Sequence, residues 1–227
     1  MRGDKLVIED YHRKAAKIIV QNIFSEVEGQ TSRFILTIAG ESGSGKSESG
    51  QAMKDEFKKR GVKAIVIGQD DYFVLPPHSN AEKRREDPQW LGPHVEVRLD
   101  VLEQNLIDAV NGAEKIEKPL VDYEKNCIIH EWIDLIDVKV IIVEGTYTSL
   151  LRNVDKRVFI DRDYKETFKH RKQRNRGDEA NDPFVEGILA MEHKIIAGHK
   201  NLADIIITNQ YNVIYTESVA QNSISGN

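Results

Sequence analysis

Cysteine is almost missing from the 227 residues: Cys127 stands alone. No disulfide can close within the chain and no cysteine-ligated metal cluster can form, which suits a reducing compartment. An excess of basic charge is also absent. Lys and Arg total 32 against 37 Asp and Glu, a net charge of −5, so the broad basic surface of a general nucleic-acid binder is not expected. No apolar run approaches the roughly 20 residues that cross a bilayer. Met1 to Asp10 mixes charges with a few apolar residues and lacks the apolar core of a secretory signal. These absences predict a cytoplasmic protein with neither nucleic acid nor membrane as partner.

What remains is a globular balance, 40% hydrophobic and 30% charged, in a length that suits one α/β domain over residues 1–227. Ala15, Ile18, Ile19, Ile23 and Val27 recur at helical spacing, so residues 1–30 are expected to carry an amphipathic helix that packs on the sheet or supports a homo-oligomer. Apolar runs at Phe34–Ala39, Val62–Ile67, Val138–Val143, Arg157–Ile160 and Ala203–Ile207 read as strands. Helical spans lie at Ser47–Arg60, Val101–Val110, Tyr164–Arg174 and Pro183–Gly198. Strands that are apolar throughout and alternate with helices imply a doubly wound parallel sheet of about five strands with helices on both faces. Residues 115–132 alternate instead and read as an inserted β-hairpin. The polar tail, 216–227, is expected to fray.

Gly40-Glu41-Ser42-Gly43-Ser44-Gly45-Lys46-Ser47 matches G-x-x-x-x-G-K-[ST] in full, between a predicted strand and a predicted helix. In such a loop successive backbone N–H groups curl around phosphate oxygens and the helix N-terminus adds partial positive charge. Lys46 is placed to reach the β- and γ-phosphates and the Ser47 hydroxyl to ligate magnesium, so ATP and Mg2+ are the expected cofactors. D-x-x-G and N-K-x-D, which a switch GTPase needs, do not occur. A kinase acting on a small hydroxylated molecule is the favoured reading; a nucleotide-binding regulator with little transfer activity is the alternative from another class.

Two acidic positions follow strands, where a parallel sheet opens its ligand crevice. In Gln69-Asp70-Asp71-Tyr72-Phe73, Asp70 is the candidate to orient the attacking hydroxyl and accept its proton, with Asp71 the more structural neighbour. In Val143-Glu144-Gly145, the carboxylate ending an apolar strand is the candidate to hold magnesium, and Gly145 is expected to leave room for the phosphate loop.

Together these segments resemble the uridine kinase and phosphoribulokinase group of P-loop kinases, over about Phe34 to Asn209. Gln69–Phe73 looks like the Q-D-S-F-Y of uridine kinases and the Q-D-D-F-F of nicotinamide riboside kinases, which implies that Asp70 is catalytic and Tyr72 near the acceptor. Pro119-Leu120-Val121-Asp122-Tyr123 is similar to the hairpin that contacts the nucleoside in uridine kinases, with Asp122 and Tyr123 as the matching contacts and Val121 in place of a tyrosine. The acid-rich segment that grips ribose in that family has no clear counterpart in Trp90–Asp100. There Arg98 is a candidate for an anionic group and Glu96 or Asp100 for hydroxyls, with Asp100 also read as a helix N-cap. The resemblance further implies an arginine-rich lid over residues 170–182, in which Arg171 faces the nucleotide and Arg174 stabilises charge in transfer. The acceptor it implies is a nucleoside, with nicotinamide riboside, pantothenate, glycerate or a sugar phosphate as alternatives. The departure at Trp90–Asp100 argues against a pyrimidine nucleoside bound in the usual way. His193 and His199 are read as structural, and His130 and Trp132 as possible lining of the acceptor pocket.

Overall fold

The computed structural model describes residues 6–168 and 183–216. Its elements run α1 (Asp10–Gly29), β1 (Phe34–Gly40), α2 (Lys46–Lys59), β2 (Ala64–Gly68), α3 (Pro77–Glu86), α4 (Leu99–Val110), β3 (Lys115–Asp122), β4 (Cys127–Asp134), β5 (Val140–Glu144), β6 (Lys156–Ile160), α5 (Pro183–Ile196), β7 (Ile205–Ile207) and β8 (Val213–Tyr215). The main sheet has strand order β2-β5-β1-β6-β7-β8. The first five are mutually parallel, as expected, and β8 adds an antiparallel edge.

Every residue of β1 is buried because both faces of this central strand are covered, the condition under which a strand reads as a continuous apolar run. The strand's alternation then sorts side chains between two layers. Leu36, Ile38, Val140, Ile142, Val158 and Ile205 meet Ala15, Ile19 and Ile23 of α1 and Met53 and Phe57 of α2. Ile35, Ile141 and Val143 turn the other way, onto Leu102, Leu106 and Ala109 of α4 and Ile196 of α5. The N-terminal helix therefore packs on the sheet, one of its two expected roles.

The hairpin β3–β4 is a separate two-stranded sheet whose pairing runs from Lys115↔Asp134 to Asp122↔Cys127, two residues beyond its expected end. Buried Lys118 ties it to the main body: its Nζ donates to Asp71 Oδ2 at 2.6 Å, and Asp71 Oδ1 accepts the Val121 N–H at 3.1 Å. Asp71 is structural, as read.

Three local expectations differ. Helix α3 was not foreseen, because its ten residues bury only Asn80 and present no apolar stripe. Asp100 is not an N-cap: α4 opens at Leu99 with Arg98 in the cap position, and Asp100 sits inside the first turn, where a negative charge favours the helix dipole. Thr216, placed in the fraying tail, donates its N–H to Asp204 O and its hydroxyl to Ala203 O, at 3.0 and 2.7 Å. The rest of that tail, the lid 170–182 with Arg171 and Arg174, and most of the helix expected at Tyr164–Arg174 lie outside the described residues. Among the described residues, no helix is long and apolar enough to cross a membrane.

Candidate active site

The phosphate-loop motif forms the turn from β1 into α2. Gly43 and Gly45 hold φ of 74° and 98°, a region that side chains with a Cβ rarely adopt, so the glycines are set by the backbone path. Ser44 is fully buried, and its Oγ has no hydrogen-bond partner among the described residues. The Lys46 ammonium, at the N-terminus of α2, folds back to donate to Glu41 O at 2.8 Å.

Two carboxylates face this loop from the strand ends beside it. A cleft of about 420 Å³ is lined by Ser47, Gln51, Gly68, Asp70, Glu144 and, on its far wall, Lys118, Leu120, Glu131 and Ile133 of the hairpin. Ser47, Asp70 and Glu144, separated by up to 97 residues in sequence, thus share one cavity. Gln69 fixes their spacing. Its Oε1 accepts the Tyr147 N–H at 2.8 Å, and Gly145 is glycine because a Cβ there would collide with the Gln69 side chain. Gly145 makes room for Gln69, not for the phosphate loop as expected. The Glu144 carboxyl is pushed up to about 7, first by burial and then by the charge of Asp70; Lys46 and a hydrogen bond from Ser47 pull the other way. A buried carboxyl beside a second acid is a site where a cation would favour the ionised form.

Among the described residues, no group of three or more His, Cys, Asp or Glu could hold a metal. Magnesium does not need one: it takes one or two protein oxygens and fills its shell with water and substrate phosphates. The hydroxyl of Ser47 and the carboxylate of Glu144 fit that donor set.

The residues expected around the acceptor fare differently. Tyr72 is fully buried and donates its hydroxyl to Asn105 Oδ1 at 2.9 Å, so it anchors α4 and does not line the cleft. Arg98 projects from the surface and forks onto the Asp100 carboxylate at 3.0 and 3.1 Å, and neither residue lines the cleft. Asp122 is buried and accepts the Lys125 N–H at 3.0 Å, holding the hairpin turn, and Tyr123 sets its ring edge-on to His78. In β4 the two-residue period turns Glu131 and Ile133 toward the cleft and leaves His130 and Trp132 outside, Trp132 60% exposed. Glu96 is completely buried and accepts from Arg84 at 2.7 Å, Asn80 at 3.2 Å, Gly92 N–H at 3.2 Å and Tyr147 at 3.4 Å. It organises the segment before α4 from within.

Several residues that hold the phosphate loop were not foreseen. Glu41 accepts the Tyr164 N–H at 2.6 Å and faces His193 Nδ1 at 2.5 Å. The Ser42 N–H donates to Glu192 Oε1 at 3.1 Å, and the Ser42 carbonyl accepts from Thr167 at 3.0 Å. Burial raises the Glu192 carboxyl, opposed by the charges of Lys46 and Arg84. His193 and His199 are structural as read, His199 through a 3.0 Å contact with Ser149 Oγ. A glutamate and a histidine in an amphipathic helix carry no local mark of such a contact.

Comparison with known proteins places the chain among kinases. Residues 35–209 match the Phosphoribulokinase / Uridine kinase family. A uridine kinase of Bacillus mycoides is 31% identical over 191 residues, spanning 79% of this chain and 87% of that protein. The bifunctional alpha-galactosidase/sucrose kinase AgaSK of Mediterraneibacter gnavus is 27% identical over 77% of this chain, a match confined to 20% of that much longer protein. Among solved structures, the D-glycerate 3-kinase of Cryptococcus neoformans superposes with a TM-score of 0.58 at 13% identity, over 92% of this chain and 99% of its own. A P-loop opening α2, two strand-end carboxylates on one cleft and a family match across most of the chain converge: the protein belongs to the phosphoribulokinase and uridine kinase family and is an ATP-dependent small-molecule kinase.

Proposed function

We propose that Gly40–Ser47 hold the ATP phosphates and that Asp70 directs an acceptor hydroxyl onto the γ-phosphorus. The observation that carries this reading is the single cleft shared by Ser47, Asp70 and Glu144 at the mouth of the loop. Lys46 turns from the Glu41 carbonyl to the β- and γ-phosphates, and the loop N–H groups neutralise the oxygens between them. Asp70 accepts the hydroxyl proton as the new P–O bond forms and the bond to the ADP oxygen breaks. Glu144 and Ser47 hold magnesium, which when bound offsets charge on the phosphate oxygens. The apolar Leu6, Val66, Leu120 and Ile133 around the cleft exclude water, so that transfer to the acceptor outruns hydrolysis.

The first acceptor to consider is a nucleoside, by likeness to the uridine kinases. A second reading, a sugar or other polyol, is favoured by two nucleoside-contact positions that serve other ends: Tyr72 bonds Asn105 and Asp122 closes a turn; Arg98, paired at the surface, speaks against an anionic acceptor. The deciding experiment is ADP release with magnesium and ATP across uridine, cytidine, nicotinamide riboside, glycerate, fructose and sucrose. Stimulation of at least about tenfold by one class assigns the acceptor. ATP binding with no stimulation by any hydroxylated compound would favour a regulatory protein instead.

A further inference from the structure

Against the phosphate loop, a chain of hydrogen bonds brings in two residues outside 35–209, His12 of α1 and Tyr211 of the turn between β7 and β8. It begins in the first turn of α1, where Nδ1 of His12 accepts the Glu9 N–H at 3.0 Å. An Nδ1 that accepts must be unprotonated, so the neutral ring carries its proton on Nε2. Nε2 lies 3.1 Å from the Tyr211 hydroxyl oxygen, to which it donates. Arg162 Nη1 donates to the same oxygen at 3.3 Å. With both lone pairs used, the Tyr211 hydroxyl has one role left, and it donates to the Ser44 carbonyl at 2.7 Å. The chain ends on the backbone of the loop.

The packing is as specific as the bonds. His12 is fully buried and Tyr211 is 8% exposed. The His12 ring meets Tyr211 edge-on, with centroids 4.9 Å apart. A Cβ on Gly45 would strike both the Tyr211 hydroxyl and His12 Nε2, so this motif glycine is required by what lies behind the loop as well as by its backbone. Burial pushes the Tyr211 phenol up to about 12, with Arg162 opposing, and the hydroxyl stays a donor throughout the physiological range.

We propose that His12 and Tyr211 are positioning residues of the donor site, a strut that holds the Ser44–Gly45 turn in the form that receives phosphate. Orienting the Ser44 carbonyl backwards turns the Gly45 N–H the opposite way, toward the ligand, since the two share one peptide plane. The strut makes α1 part of the nucleotide site. This inference rests on Gly40–Ser47 being the phosphate cradle, and its test needs no knowledge of the acceptor.

The experiment is calorimetric binding of ADP with magnesium, beside melting of the nucleotide-free protein. Tyr211→Phe keeps the ring and deletes the hydroxyl; it is expected to weaken ADP about five- to tenfold, the value of one hydrogen bond, with a melting temperature within about 3 °C of wild type. His12→Gln keeps a donor at the reach of Nε2 and is expected to bind within about twofold of wild type, whereas His12→Ala loses affinity as Tyr211→Phe does. Because the two residues act in series, the double variant His12→Ala/Tyr211→Phe should bind no more weakly than the poorer single one. Wild-type ADP affinity in Tyr211→Phe, or losses that add in the double variant, would overturn the strut. Should Tyr211→Phe not fold, the His12 pair decides, and equal affinity of the Gln and Ala variants overturns it. Unchanged ADP binding by Lys46→Ala would instead overturn the cradle itself, a separate result.

Discussion

Asp70 and Glu144 lie on one cavity yet should fail in different ways when changed. Asp70→Asn removes the proton acceptor and is expected to lower kcat by about 10²- to 10⁴-fold with ADP affinity little altered. Glu144→Gln should raise the magnesium concentration needed for half-maximal turnover; matching defects with unchanged metal dependence would refute the division. Glu144 also carries a stability signature. Its folded pKa of about 7 lies above the ordinary 4.5, so between those values the folded protein binds more protons than the unfolded chain. Its ionisation therefore opposes folding progressively as pH rises through that window, and the full cost is present above about 7. Glu144→Gln should stabilise the nucleotide-free protein by on the order of 1–3 kcal/mol at pH 8 and hardly at all at pH 4, measured by urea unfolding. A variant less stable than wild type at pH 8 would show that Glu144 is held by favourable contacts instead.

At the scale of elements, the turn from β1 into α2 is confined from both sides. Gly45→Ala adds a methyl group at a φ of 98° and drives it into Tyr211 and His12. The expected result is a loss of about 1–3 kcal/mol in stability together with at least about tenfold weaker ADP; binding equal to wild type would mean that the turn can relax. This turn was legible in the sequence because its motif is local and its flanking strand is apolar throughout. The five parallel strands were legible for the same reason: a strand buried on both faces shows its burial in its composition. Helix α3 was not, since it exposes nearly all of itself and has no period to read. Of the site, Lys46, Ser47, Asp70 and Glu144 converge as the motifs suggested. Tyr72, Asp122 and Arg98 do not, because a motif names a position without saying which way its side chain turns. Glu192, Tyr211 and the loop contact of His193 were not legible, because each meets the loop from more than a hundred residues away, and His12 reaches it only through Tyr211.

For the molecule as a whole, ligand and fold should be linked. ADP at one hundred times its Kd stabilises a binding-competent chain by about 2.7 kcal/mol, so wild type should melt several degrees higher and Lys46→Ala, at the same concentration, should not. A shift that survives Lys46→Ala would move the nucleotide elsewhere. The same linkage makes α1 indispensable, since Ile19 and Ile23 are as buried as the strands beneath them. Ile19→Ala should cost about 2–5 kcal/mol in a single cooperative transition, and a separate early transition for α1 would show that the helix is only appended. The hairpin stands in a different relation to the rest. It shares no strand pairing with the main sheet, and Lys118 fastens it to Asp71, next in sequence to the proposed proton acceptor. The hairpin wall of the cleft and the turn that carries Asp70 are thus registered by buried Lys118, which pairs with Asp71 on one side and Glu131 on the other. Glu131 shares in that registration, its carboxylate 3.0 Å from the Lys118 ammonium, whereas Leu120 and Ile133 face the cleft without taking part in the pairing, so the cleft wall can change its shape at those two positions while the hairpin stays fastened.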